Sequence, residues 1–188
     1  MQYSILVTGS ASRFVKNRNF FQYACQWLVT KAIMDKPKDN ISEWRTKVLI
    51  GVIFGEKGTG KTKHLLQHAN EMATKAKGSL VFIDDDNSYM FDLSSSIRFI
   101  NAADYGIDSG KMLYGFICGI AAQDFDLEYV YVDGFKNFVQ YELYELEPFF
   151  KDLSAFSEKH NINIILSISG NKDSLPAFMN GMVLKTTY

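Results

Sequence analysis

Residues Gly55, Glu56, Lys57, Gly58, Thr59, Gly60, Lys61 and Thr62 read GEKGTGKT and fit the pattern G-x-x-x-x-G-K-[ST] at every fixed position. No other stretch constrains the fold as strongly, because of what flanks it. The run KVLIGVIF at 47–54 is apolar and rich in β-branched residues, which suits a buried strand. After the loop, Leu65, Leu66, Ala69, Met72, Ala73 and Ala76 recur at helical spacing, so a helix is expected from Lys61 to Gly78, with the glycine as its C′ residue. Strand, glycine loop and helix in that order form the setting in which such a loop cradles phosphate.

The chemistry follows from the residue types. Backbone N–H groups of a tightly curled loop surround an anion, and Gly55, Gly58 and Gly60 permit the curl. Lys61 brings an ammonium to the β- and γ-phosphates, and the Thr62 hydroxyl is a ligand for Mg²⁺. The positive end of the helix adds to both. Residues 55–63, Lys63 included, are therefore the expected nucleotide-binding stretch, with ATP and Mg²⁺ as its ligands.

Past the loop, apolar strands and amphipathic helices alternate. Strands are expected at 48–54, 80–84, 97–100, 129–133, 162–169 and 181–187, and helices at 108–122 and 148–160, the latter with Pro148 in its first turn. Such alternation implies a mainly parallel sheet covered on both faces, an α/β fold of three layers. Residues 1–46 break the pattern. A short strand at 3–8, a helix with Phe20, Phe21, Ala24, Trp27, Leu28 and Ala32 on one stripe, and a polar linker at 35–40 read as an N-terminal helical extension before a domain at 47–188.

Strand ends carry the remaining candidates, since in parallel sheets they face the ligand crevice. The YVYVD run at 129–133 ends in Asp133, expected as a Mg²⁺ partner on a strand next to the loop strand. FIDDDN at 82–87 places acids near the γ-phosphate, where Asp86 or Asp85 is a candidate to orient the attacking water. Ser167, Ser169 and Asn171 close the 162–169 strand as candidate γ-phosphate sensors. His64 and His68 stand one helical turn apart but lack a third ligand, so they read as solvent-facing.

Composition bounds the function. With 47% hydrophobic and 22% charged residues in 188, the chain suits a globular domain, and a net charge of −1 gives no footprint for nucleic acid. Cys25 and Cys118 make neither a disulfide framework nor a zinc site. No apolar run reaches the length of a membrane span, and a cytoplasmic location is expected.

The succession of glycine loop, acid-ended strand, Asp133 strand, helix and polar-ended strand resembles the RecA-like branch of P-loop ATPases, the branch of RecA, KaiC and DnaB-type helicases. Residues 150–169 are similar to that family's helix, turn and sensor strand. The resemblance implies a RecA-like P-loop NTPase fold over about 48–188, ATP hydrolysis, and sites shared between subunits, hence self-association or a protein partner. It also implies a catalytic glutamate just past the second strand, where Asp86 stands best and Asp85 next, and a Ser-Gln strand end, where Ile168-Ser169 stands instead. Gly134 occupies the place of an AAA+ glutamate. VFIDDDN also resembles small bacterial ATP-binding proteins. The expected function is a slow Mg²⁺-dependent ATPase acting as a nucleotide switch or assembly ATPase; a binding-only protein and a small-molecule kinase are the alternatives. A kinase would want arginines in a lid, and after residue 46 only Arg98 is available.

Overall fold

The C-terminal ends of all six strands lie along one edge of a single sheet, because every pairing in it is parallel. The computed structural model describes residues 48–139 and 142–188, which fall within one compact unit, Trp44–Tyr188. The expected N-terminal strand, helix and linker lie outside the described residues. In chain order the elements are β1 (Ile50–Gly55), α1 (Lys61–Ala73), β2 (Ser79–Asp84), β3 (Ile97–Asn101), α2 (Gly110–Gln123), β4 (Leu127–Val132), α3 (Phe135–Phe138), α4 (Glu147–His160), β5 (Asn163–Ser169) and β6 (Val183–Thr187). The sheet order is β3-β2-β4-β5-β1-β6.

Alternation along the strands sorts the core into two layers. Ile53, Leu80, Phe82, Tyr131 and Ile165 pack with Leu65, Leu66 and Ala69 of α1. Their neighbours Val52, Phe54, Val81, Ile83, Val130, Val132, Ile164 and Leu166 pack with Leu113 and Ile117 of α2 and with Phe150 and Leu153 of α4. A period of two therefore builds a three-layer α/β/α fold with the sheet in the middle. Burying each of these leucines contributes roughly 1.5–3 kcal/mol.

Connections respect the handedness of parallel crossovers. From β1 through β2 to β3 the chain steps one way across the sheet, and its cover, α1 and Leu93 of the 85–96 segment, lies on the first face. From β3 through β4 and β5 to β6 it steps back, and α2, α4, Leu175 and Met179 cover the second face. Reversal of direction with a change of face is what right-handed crossovers require.

Three local expectations are corrected. Helix α1 stops at Ala73, and Gly78 is not a left-handed cap; a Cβ there would collide with the backbone of Asp126, so close approach to the turn before β4 demands the glycine. The strand ending at Asp133 is not beside the loop strand. Strand β5 lies between β1 and β4 and pairs with both, with Ile164 opposite Ile50 on one side and Val130 on the other. His68 does not face solvent. It is 4% exposed, with Nδ1 3.0 Å from the Tyr131 hydroxyl and its ring edge-on to Tyr129 and Tyr131.

Candidate functional site

The glycine loop curls as the sequence requires, through Gly58 and Gly60 at φ 86° and 85°, a region that disfavours residues with a Cβ. Gly55 serves differently from the expectation. Its φ is not positive, but a Cβ on it would strike the Thr187 carbonyl and hydroxyl, so it lets β6 close against β1. Within the loop, Thr59 Oγ1 donates to the Glu56 carbonyl (2.8 Å) and lies 2.7 Å from the Thr187 hydroxyl. Lys61 is buried and Nζ donates to the same Glu56 carbonyl at 2.7 Å. Burial lowers the Lys61 pKa, and the charge of Asp133 works against that shift. No side chain caps the start of α1 and its first turn holds no acid, so its leading N–H groups remain a positive end suited to an anion.

A cavity of about 800 Å³ opens over this loop. Lys57, Gly58, Gly60, Lys61, Thr62 and Lys63 line its floor, and Asp84, Asp85, Asp86, Asp133, Ser167 and Ser169 line the side formed by the strand ends. Asn171 lies elsewhere, exposed at the start of the turn Lys172–Ser174, with its carbonyl accepting from Ser174. The backbone N–H of Asp133 donates to the Ile83 carbonyl at 2.9 Å, which brings the ends of β4 and β2 together. Asp133 is 4% exposed, and its Oδ1 accepts the Ser167 hydroxyl of β5.

The acids after β2 differ sharply in setting. Asp86 is exposed and its Oδ1 accepts from the Ser88 N–H at 2.6 Å, bonding that holds its carboxyl below the usual carboxylate range. Asp85 is half-buried; its Oδ2 accepts from Asn137 Nδ2 at 2.6 Å, and its carboxylate lies over Gly134. Asp84 is 3% exposed, one oxygen accepting from the Asp85 N–H at 2.9 Å and the other, Oδ2, buried with no hydrogen-bond partner. Burial pushes its pKa up to about 8, helped by the charge of Asp133.

The sequence places the whole acidic run 84–86 near the γ-phosphate but singles out Asp86 and Asp85, giving Asp84 no role of its own. Strand parity was the signal available: Leu80 and Phe82 face α1, so the next residue of that parity, Asp84, does too. Lys136, Asn137, Tyr89 and Asp92, which also line the cavity, had no signal, because the short α3 and the turns of the 85–96 segment carry no periodicity.

The donors suit the cation expected with a triphosphate. The Thr62 hydroxyl and the Asp133 carboxylate are hard oxygen ligands of the kind Mg²⁺ takes, and Asp84, whose Oδ2 is buried and unpaired, lines the same cavity. The polar-ended β5 separates β1 from β4, and the ends of β2, β4 and β5 meet the loop at the cavity. The core is a three-layer α/β/α fold with a parallel sheet and the glycine loop at the C-terminal end of β1.

A scan against protein-family models finds no match, and a search of curated proteins finds none either. Among solved structures, the chain is similar to PCH-2 of C. elegans, with 14% identity, a TM-score of 0.46, and coverage of 90% of this chain and 43% of that one. It is also similar to the flagellar accessory protein FlaH from Methanocaldococcus jannaschii, with 16% identity, a TM-score of 0.42, and coverage of 76% and 72%. The chain thus spans less than half the length of PCH-2. No helix among the described residues is long and apolar enough to cross a membrane.

Proposed function

We propose that this chain binds ATP with Mg²⁺ and hydrolyses it slowly, the nucleotide state switching an assembly or partner-binding surface. The observation that carries the reading is the meeting of Lys61, Thr62 and the uncapped start of α1 with Asp133 in one cavity at the strand ends. In this reading the loop N–H groups and Lys61 neutralise the phosphates, and Asp133 and Thr62 hold the cation, which supplies charge neutralisation between phosphates. Asp86 orients the attacking water, with Asp85, which lines the same cavity, as the alternative carboxylate for that role. The cations lining the cavity are lysines, Lys57, Lys61, Lys63 and Lys136, which suits slow turnover more than the rapid transfer of a kinase.

One observation favours a second reading, in which ATP is bound and not turned over. Asp86 spends an oxygen on its own turn through Ser88, and Gly134 puts no carboxyl after Asp133. The test separates the two. ATP affinity and phosphate release are measured for the full chain, Lys61→Ala, Asp86→Ala and Asp85→Ala. ATP binding is expected to be lost in Lys61→Ala, and turnover to be lost in Asp86→Ala with binding kept. Unchanged affinity in the Lys61 variant removes the site assignment. Binding by the wild-type chain with no phosphate release above buffer selects the binding-only reading.

A further inference from the structure

Parity along the sheet places a set of side chains directly beneath α1. Leu80 and Phe82 of β2, Tyr129 and Tyr131 of β4, and Ile165 of β5 all pack on the α1 side. Continued by two residues, those rows bring Asp84, Asp133 and Ser167 to the same side, at the end of the sheet where α1 begins with Lys61 and Thr62. The hydrogen bond from Asp133 N–H to Ile83 O fixes Asp84 and Asp133 side by side on neighbouring strands.

In this row the oxygens are accounted for unequally. Asp133 Oδ1 accepts the Ser167 hydroxyl. Asp84 Oδ1 accepts the Asp85 N–H, whereas Asp84 Oδ2 is the one buried side-chain oxygen or nitrogen among the described residues that lacks any partner. A buried carboxyl oxygen without a donor costs about 1–3 kcal/mol, more when charged, so its place in a residue lining the cavity calls for a partner, and a bound ion is one that would supply it. The other polar side chains of the cavity leave it unpaired: Asn137 donates to Asp85, and Ser167 to Asp133. A hard cation is the partner that an unpaired acid oxygen beside a second acid suits.

We infer that Asp84 is a second carboxylate of the cation site, holding the Mg²⁺ that accompanies ATP jointly with Asp133 and Thr62. This rests on the reading of the cavity as an ATP site and adds to it a ligand role for a residue outside the loop and its usual acid partner. Asp84 acts by fixing the cation and its water shell; it takes no proton from the attacking water, a role left to Asp86.

The experiment uses the full chain and Mn²⁺ as the probe, with free Mn²⁺ read by electron paramagnetic resonance in the presence of a non-hydrolysable ATP analogue. Asp84→Asn keeps the shape of the side chain and an oxygen to accept the Asp85 N–H, and its thermal melt reports that it folds. Expected is a loss of Mn²⁺ affinity of roughly 10–100-fold, with affinity for the analogue in the absence of metal undiminished. If Asp84→Asn changes the melting temperature alone and binds Mn²⁺ as the wild type does, the inference is overturned and Asp84 is structural. If Asp133→Asn loses Mn²⁺ while Asp84→Asn does not, this inference alone falls. If the wild-type chain takes up no analogue, the ATP reading falls and this one with it. Should Asp84→Asn not fold, Asp84→Ser, smaller and neutral, carries the same measurement.

Discussion

Gly134 sits at φ 60° directly under the carboxylate of Asp85, so close that a Cβ on Gly134 would overlap the carboxylate Oδ1. The glycine after Asp133 is thus a requirement of the site and more than a vacated glutamate position. It turns the chain from β4 into α3, as the left-handed residue before Phe135, and clears room for Asp85 to reach Asn137. Gly134→Ala is therefore expected to lose stability by about 1–2 kcal/mol from backbone strain alone, with more from the displaced Asp85. Urea denaturation measures it. Gly134→Glu is expected to fold poorly and to give no gain in phosphate release, because the side chain meets Asp85 before it reaches the cavity. A faster ATPase in that variant contradicts the assignment.

Ser167 supplies the tie between β5 and Asp133. Ser167→Ala leaves one oxygen of a buried carboxylate unpaired and is expected to lower stability by about 1–3 kcal/mol. The same change frees the Asp133 carboxyl to rotate, so Mn²⁺ binding with the ATP analogue should weaken by roughly tenfold or more. Calorimetric titration reads the second effect. A stability loss with unchanged metal affinity would show that Asp133 needs no orientation from β5.

At the other edge of the loop, Gly55 admits the Thr187 backbone and hydroxyl of β6. Gly55→Ala overpacks that contact, and a cost of about 1–3 kcal/mol is expected in urea denaturation. ATP affinity should fall with it, since Thr187 also contacts Thr59 inside the loop. A variant with wild-type stability and affinity would mean that β6 yields without cost.

The parts of this fold that were legible in the sequence are those whose signal is local. The loop, its strand and its helix are set by residues adjacent in the chain, and Leu113, Ile117, Phe150 and Leu153 announce α2 and α4 by spacing alone. Strand order was not local, and so β5 was not foreseen between β1 and β4. Asp84 was hidden by its neighbours: in a run of consecutive acids, which one is buried depends on strand parity and on where β2 ends. His68 was misjudged because its partner, the Tyr131 hydroxyl, comes from a strand 63 residues on. A polar residue on a helix reads as exposed until a buried phenol is known to wait beneath it.

That buried pair makes a last prediction. Burial lowers the His68 pKa from 6.5 to about 4. Glu71 on the same helix opposes the shift and Lys75 adds to it, while the groups facing it from β4 are Tyr129 and Tyr131, whose own pKa values burial raises. His68 is thus neutral in the fold at pH values where it is already protonated in the unfolded chain. Between the unfolded value of 6.5 and the folded value near 4, the unfolded state binds more protons, so stability rises with pH across this window and is lost as pH falls. His68→Gln keeps a group that can bond the Tyr131 hydroxyl but cannot titrate. The difference in unfolding free energy between wild type and variant removes contributions from other acids, which titrate in both. Relative to His68→Gln, the wild type is expected to lose on the order of 2 kcal/mol between pH 7 and pH 4, and nothing between pH 7 and pH 8. Curves that run parallel from pH 7 to pH 4 would show that His68 meets solvent or a compensating charge in the folded chain.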